Sequence, residues 1–340
     1  MMLRALRTLC LACLFAAILL AVLLTGCRPQ SSAPSAVPEA LTPTPKTTVS
    51  YPLTVKDDLG KEVTLKAEPK RIVSLSPPLT ESAFALGLGD RVVGVTRFCN
   101  YPKETEGKEK IGGVSDPSVE KILSLNPDLV LATVGNPMPV LEALEKAQIP
   151  VLSLDPKTYD GAAEAMNTLG RVCGVPEAGE KLAKQMRDTA AEIQAKVARV
   201  PESKRARALL VVWLDPLFVA GPKTYMDDML RICGAKNVAA QTENPWKQFS
   251  LEMAVAENPQ VLILTAEHTP GAKDVQTQLE ELRRSTAWRS VVAVKDGRVA
   301  LIPADLITRT GPRLQEALKL LSQAVYPDLF PLSAGPGASH

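Results

Sequence analysis

Apolar residues recur along this chain at two spacings, and the changes between them mark its elements. Around Asp57-Asp58-Leu59-Gly60 apolar and polar residues alternate on both sides, which predicts a β-hairpin over residues 53–65. Residues 71–75 form a short apolar run, a buried strand, and Ser76-Pro77-Pro78-Leu79-Thr80-Glu81 turns it into a helix that ends at Gly87. Strands at 91–95, 129–132 and 151–154, with helices from Ser118, over 138–147 and over 161–173, complete a βαβα series. Such alternation implies a mostly parallel sheet covered by helices.

Residues 176–200 then read as one long helix. Pro176 suits its first position, Glu177 and Glu180 oppose the free amides of the first turn, and Pro201 stops it. Leu182, Met186, Ala190, Ile193 and Val197 make a single apolar stripe, while Glu180 with Lys184 and Glu192 with Lys196 are outward pairs one turn apart. A helix of about 24 residues is roughly 36 Å long, the height of a domain. Beyond it the plan repeats, with strands at 207–214, 260–265 and 299–302 and helices at 223–233, 252–256, 276–282 and 311–326.

The two sides of the long helix share a pattern. Ser118-Val-Glu120 leading to Asn126-Pro127 and an apolar run is matched by Ser250-Leu-Glu252 leading to Asn258-Pro259 and another. Ser, Glu, Asn and Pro keep a constant offset, which argues for two lobes of one design. The chain is therefore expected to be α/β, with one lobe at 51–175, a linking helix at 176–200 and a second lobe at 201–330. Residues 331–340 are a tail.

Charge and the N-terminus add a location. Arg4 and Arg7 form a charged region, residues 8–24 an apolar one, and Thr25-Gly26 a small-residue cleavage site, so 1–26 read as a signal peptide. Leu24-Thr25-Gly26-Cys27 resembles the bacterial lipobox, whose cysteine is lipidated; a retained membrane anchor is the other reading, because the run is nearly long enough to span. Either way the protein is expected on the outer side of the cytoplasmic membrane, in the periplasm or at the cell surface. The Pro-, Ser- and Thr-rich stretch 27–50 would tether it there. Removing Arg4 and Arg7 from the 39 basic residues leaves as many as the 37 acidic ones, and a near-neutral protein disfavours nucleic acid. Of six cysteines, only Cys99, Cys173 and Cys233 lie beyond the leader and Cys27. At most one disulfide can form among them, and Cys173 and Cys233, each before a glycine, read as buried small apolar residues.

Support for catalysis is lacking. Gly87-Leu88-Gly89 ends a helix and carries no dinucleotide fingerprint. The two histidines, His268 and His340, stand in a loop and in the tail, too few for a Ser–His couple or an imidazole metal site. No catalytic residue, metal or cofactor is expected. Binding has better support. Aromatics are only 4% of the chain, yet Phe98, Trp213, Phe218 and Trp246 all fall in or beside links that follow strands. In open α/β sheets the ligand crevice lies outside the carboxyl ends of the strands, and exposed rings there suit a flat apolar ligand. The competing reading has Trp213 and Phe218 capping the core, with Trp246 alone exposed.

Five stretches carry a family resemblance over roughly residues 70–325. They are Arg71-Ile-Val-Ser-Leu-Ser-Pro-Pro-Leu-Thr-Glu81, Val93-Gly-Val-Thr-Arg-Phe-Cys-Asn-Tyr-Pro102, Asn126-Pro-Asp-Leu-Val-Leu131, Pro245-Trp-Lys-Gln-Phe-Ser-Leu-Glu252 and Asp305-Leu-Ile-Thr-Arg309-Thr-Gly-Pro-Arg313. They resemble the class III, helical-backbone substrate-binding lipoproteins of ABC importers, which take up iron–siderophores, haem and cobalamin, and are most similar to the cobalamin receptors among them. The resemblance implies a ligand cleft between the lobes, lined by Phe98, Phe218, Trp246, Asp305 and Arg309 beside the Trp213 already noted. The bound ligand would be a cobalt corrinoid. Val114 and Thr133 stand where cobalamin receptors have tryptophans, which keeps a siderophore or haem open. From another class, an extracytoplasmic enzyme or a sensor could use this fold.

The same resemblance implies that Glu120 and Glu252, one at each lobe's tip on the cleft side and without structural partners, meet arginines of a permease dimer. The plainer alternative is helix N-cap support, since each follows a serine by two residues. The receptor itself is expected to be a monomer, held to the membrane by lipid.

Overall fold

In the computed structural model residues 48–241, 245–266 and 274–331 are described. The signal peptide, Cys27, His268 and the tail from residue 332, with His340, lie outside them. The hairpin forms as the alternation requires: β1 (Leu53–Lys56) pairs antiparallel with β2 (Glu62–Leu65), Val55 opposite Val63.

The first lobe is a five-stranded parallel sheet. Its elements are β3 (Ile72–Ser74), α1 (Pro77–Ala85), β4 (Val92–Val95), β5 (Glu109–Lys110), α2 (Val119–Ser124), β6 (Leu129–Ala132), α3 (Met138–Lys146), β7 (Val151–Ser153) and α4 (Tyr159–Val172). The strand order is β5-β4-β3-β6-β7. Both faces of this sheet are buried, so the strands read as unbroken apolar runs. Ile72, Leu129 and Leu131 enter one cluster, and Val73, Val130 and Ala132 the other, as a period of two demands.

α5 (Pro176–Val197) joins the lobes. Its 22 residues span about 33 Å. It stops short of residue 200 because the chain tightens first, Val200 N–H donating to the Val197 carbonyl at 2.8 Å ahead of Pro201. The buried face runs Gly179, Ala183, Met186, Thr189, Ile193 and Val197, rotated slightly from the expected stripe, with Leu182 and Ala190 half-buried at its border. The expected outward pairs are replaced: Lys184 bonds Asp188, Arg187 reaches Asp160 and Glu164 on α4, and Lys196 lies over the Phe330 ring. Asp188 lies one turn along the same helix, whereas Arg187 and Lys196 find their partners outside it.

The second lobe contains β8 (Arg207–Trp213), β9 (Phe218–Ala220), α6 (Tyr225–Ile232), β10 (Lys236–Asn237), β11 (Trp246–Gln248), α7 (Leu251–Glu257), β12 (Val261–Thr265), α8 (Val275–Arg284), α9 (Val292–Lys295), β13 (Val299–Ile302), α10 (Ala304–Ile307) and α11 (Leu314–Val325). Its sheet is ordered β11-β9-β8-β12-β13, with β10 beside the start of β8. β12 is parallel to β8 and β13, whereas β9 and β11 form an antiparallel ribbon at the edge. That ribbon was not expected: Phe218 and Trp246 sit on strands where the sequence suggested links, while Trp213 ends the expected strand.

The internal repeat is structural. Ser118 and Ser250 hydroxyls accept the backbone N–H of Lys121 and Met253, and Asn126 and Asn258 both take left-handed backbone, φ 46° and 45°. Arg71 and Arg207 each donate to a carbonyl at the end of the motif that follows in the chain, Leu125 and Asn258, at 2.7 and 2.9 Å. Cys99, Cys173 and Cys233 are free and buried, and burial pushes the Cys173 thiol up to about 12.

One continuous apolar cluster includes Leu131 of the first lobe, Met186 and Ile193 of α5, and Leu210 and Ile263 of the second. The lobes are thus joined through packed core as well as chain. α4 and α5 approach closely because both carry glycine at the crossing: a Cβ on Gly179 would lie 2.7 Å from the Met166 carbonyl oxygen. Gly179→Val is expected to lower stability by about 1–3 kcal/mol through overpacking against backbone that cannot give way. Thermal unfolding measures it, and an unchanged midpoint would show that the two helices can separate freely.

Candidate functional site

The carboxyl ends of both sheets carry the exposed rings. After β8, the chain passes Asp215-Pro216 and returns as β9, which sets Trp213 opposite Phe218 across the antiparallel pair. β11 adds Trp246 at the sheet edge, paired with Ala220. Trp213, Phe218 and Trp246 are 41%, 37% and 49% exposed, so none of them caps the core. With Val212, Asp215 and Pro216 they line a recess of about 540 Å³. The Trp213 indole donates to the Asp215 carbonyl at 2.7 Å, and the Trp246 ring tilts against buried Tyr225 at 6.1 Å between centroids. Both contacts anchor rings that remain partly exposed.

A second group of rings comes from the first lobe, at the carboxyl end of its sheet. The loop after β4 carries Phe98, half-exposed beneath the Arg97 guanidinium at 4.9 Å, and Tyr101, whose ring lies 3.9 Å from the Arg313 guanidinium. Phe98 does not line the Trp213 recess. Beside that loop runs a polar network that crosses the lobes. Arg309 donates to Glu81 and to Asn100, both at 2.8 Å, and pairs with Asp305 at 2.5 Å. Arg313 clasps both oxygens of Glu81 at 2.7 and 2.8 Å, and Asn100 donates to Asp305 at 2.9 Å. Glu81 stands ahead of the other causes that raise the Arg313 pKa above its ordinary value.

Much of the bonding capacity of Asp305 and Arg309 is thus spent on each other, on Asn100 and on Glu81. Glu81, Asn100, Tyr101 and Arg313 complete this group and were not singled out from sequence, although all four stood in the motifs quoted above. Arg313 follows Arg309 by four residues across the non-helical Gly311-Pro312 turn, and no helical spacing signals that both converge on Glu81. Nothing local pointed to Glu81, 228 residues from Arg309.

Glu120 and Glu252 are exposed in the first turns of α2 and α7. Each of these helices starts at the carboxyl end of its sheet, the same edge as the rings. Glu120 enters no ion pair among the described residues. Glu252 departs from expectation: it accepts the Ser250 hydroxyl at 2.9 Å, and its own backbone N–H, then that hydroxyl, hold its carboxyl below the usual range. It has a structural partner and is still exposed.

A second recess, about 580 Å³, lies between α5 and α11, with Ile193, Leu306, Leu320 and Phe330 on its floor and Glu192, Lys196, Glu316 and Lys319 at its rim. It is slightly larger, but helices wall it, away from the strand ends and the exposed rings. The aromatic recess is the better candidate for this reason. Among the described residues no helix is long and apolar enough to cross a membrane, and no cluster of three or more His, Cys, Asp or Glu could hold a metal.

A family model described as periplasmic binding protein matches residues 72–306. An uncharacterized ABC transporter substrate-binding lipoprotein of Bacillus subtilis is 36% identical over 93% of this chain and 98% of its own length. A vitamin B12-binding protein of Yersinia pestis is 31% identical over 77% of this chain and 88% of its own. Among solved structures, a periplasmic heme-binding protein of Roseiflexus aligns with a TM-score of 0.66 at 29% identity, covering 76% of this chain and 99% of that one.

Proposed function

We propose, from the premise that this chain belongs to the periplasmic binding protein family, that it is the solute receptor of an ABC importer, capturing a corrinoid and delivering it to a permease dimer. The observation that carries the ligand class is the trio Trp213, Phe218 and Trp246, three half-exposed rings about one recess at the strand ends. A corrin offers a broad apolar face to such rings and a rim of amides that can exchange hydrogen bonds with Asp305, Arg309 and Asn100. Haem is the second reading, favoured by the likeness to the Roseiflexus structure. Titration of the purified protein with cyanocobalamin, haemin and a ferric siderophore separates them by visible spectra. Cyanocobalamin binding is the expected result, and binding of the siderophore alone would overturn the reading.

The receptor is held on the outer side of the cytoplasmic membrane by lipid on Cys27. Cys27→Ala should leave ligand affinity intact while releasing the protein from membranes or blocking its processing. Fractionation with a processing assay tests this; unchanged retention with normal maturation would make the leader a plain anchor.

The connection between lobes suits a receptor that moves little on loading. A shared core and a single helix resist hinge closure, so the cleft and the outer glutamates keep their places whether or not ligand is present. Glu120 and Glu252 then offer a fixed two-point contact for arginines of the two permease subunits.

A further inference from the structure

Every guanidinium that meets the loop at 97–101 is matched to a carboxylate. Arg97, over Phe98, pairs with Asp116 at 2.9 Å; Arg309, bonded to Asn100, pairs with Asp305 and Glu81; Arg313, on Tyr101, pairs with Glu81. In the central network two carboxylates face two guanidiniums, and its net charge is zero. Glu81 is the hidden half of that balance. Its side chain is 1% exposed, beneath arginines that are 11% and 17% exposed, so it touches no ligand itself.

Asp305 is the accessible member, 39% exposed. Its carboxylate accepts from Arg309 and Asn100, and a carboxylate has about four acceptor sites, which leaves room for further donors. Asp215, in the aromatic recess, is exposed and enters no ion pair among the described residues. A ligand rim of amides or hydroxyls supplies the N–H and O–H groups that Asp305 can accept, and its carbonyls can take N–H from the arginines. A carboxylate rim brings no donor, meets like charge at Asp305, and finds the arginines already neutralised.

We propose that Glu81 is a specificity-determining residue: by cancelling Arg309 and Arg313 from beneath, it sets the cleft for a flat ligand whose polar rim is uncharged and against one whose rim carries carboxylates. This rests on the proposed function and narrows its ligand. The charge is set beneath the arginines, where a change alters the field in the cleft without removing a contact.

The test uses the full chain purified in detergent and two probes, amide-rimmed cyanocobalamin and haemin with its two carboxylates. The wild type should prefer cyanocobalamin. Glu81→Gln and Asp305→Asn should each shift the affinity ratio toward haemin by about tenfold or more, since an uncompensated guanidinium a few ångströms away attracts a carboxylate strongly in a partly dry cleft. High salt should shrink that gain. The pair Glu81→Gln with Arg313→Gln restores neutrality and should restore the ratio, which a purely structural role for Glu81 would not do. Asp305→Asn, nearer the surface, keeps the test valid if Glu81→Gln fails to fold. A wild type that binds cyanocobalamin, with a ratio unmoved in folded Asp305→Asn and Glu81→Gln, overturns the role of Glu81 alone. Preference of the wild type for haemin overturns the uncharged rim and leaves the receptor class standing, whereas binding of neither probe overturns both readings.

Discussion

Replacing Glu120 and Glu252 together by Ala is expected to abolish stable permease binding and uptake while leaving ligand affinity unchanged, with each single change giving a partial loss. The expectation rests on placement. Both carboxylates are exposed in first turns at the carboxyl ends of their sheets, one on each side of α5. A rim charge of this kind contributes through its partner across the interface and through orientation of the encounter. Glu252 also accepts the Ser250 hydroxyl, so its replacement by Ala removes that hydrogen bond as well. Glu252→Gln separates the two roles, because the amide oxygen can still accept that hydroxyl while the charge is gone. Gln should therefore fold like the wild type and dock like Ala. Changing both glutamates to Arg should be worse than Ala through like-charge repulsion. Pull-down of the permease and uptake, run beside ligand titration, decide it. Full uptake by the double-Ala variant would remove the docking role, and lost ligand binding would move these residues into the pocket.

Trp246→Ala is expected to weaken corrinoid binding by about 1–3 kcal/mol, the loss typical of a buried aromatic anchor. Folding should suffer little. Trp246 is on the edge strand β11, where pairing to β9 runs through backbone, and its ring is half-exposed. Its one described ring contact, to Tyr225, lets the position carry a small stability effect, and Trp246→Phe should recover part of it. Titration and thermal unfolding of the same variants separate the outcomes. A collapse in stability with constant affinity per folded molecule would assign Trp246 to the core and withdraw it from the pocket.

How far these residues could be read in advance depends on the range of the forces that place them. Strands β6 and β13 coincide with apolar runs because their burial on both faces leaves no polar position to blur the pattern. The hairpin β1–β2 and the serine-capped helices α2 and α7 were legible for a related reason: alternation and capping are settled within a few residues. Phe218 and Trp246 were recognised as pocket aromatics, yet their strands were not. Segments of three residues acquire strand structure only by pairing with each other and with β8, and no local pattern announces a partner.

The sequence by itself determined the alternation of strands and helices, the long helix from Pro176, the repeat around Glu120 and Glu252, and the clustering of scarce aromatics near strand ends. Each of these depends on neighbours along the chain or on residue type alone. The tertiary structure alone decided that Arg187 bonds Asp160 and Glu164, and that Glu81 lies beneath Arg309 and Arg313. A charged side chain pairs with whichever opposite charge packing brings within reach, and burial of a carboxylate makes that pairing obligatory. Glu81 and Arg313 are 232 positions apart, and only the closing of one lobe's helix against the other's places them 2.7 Å from each other.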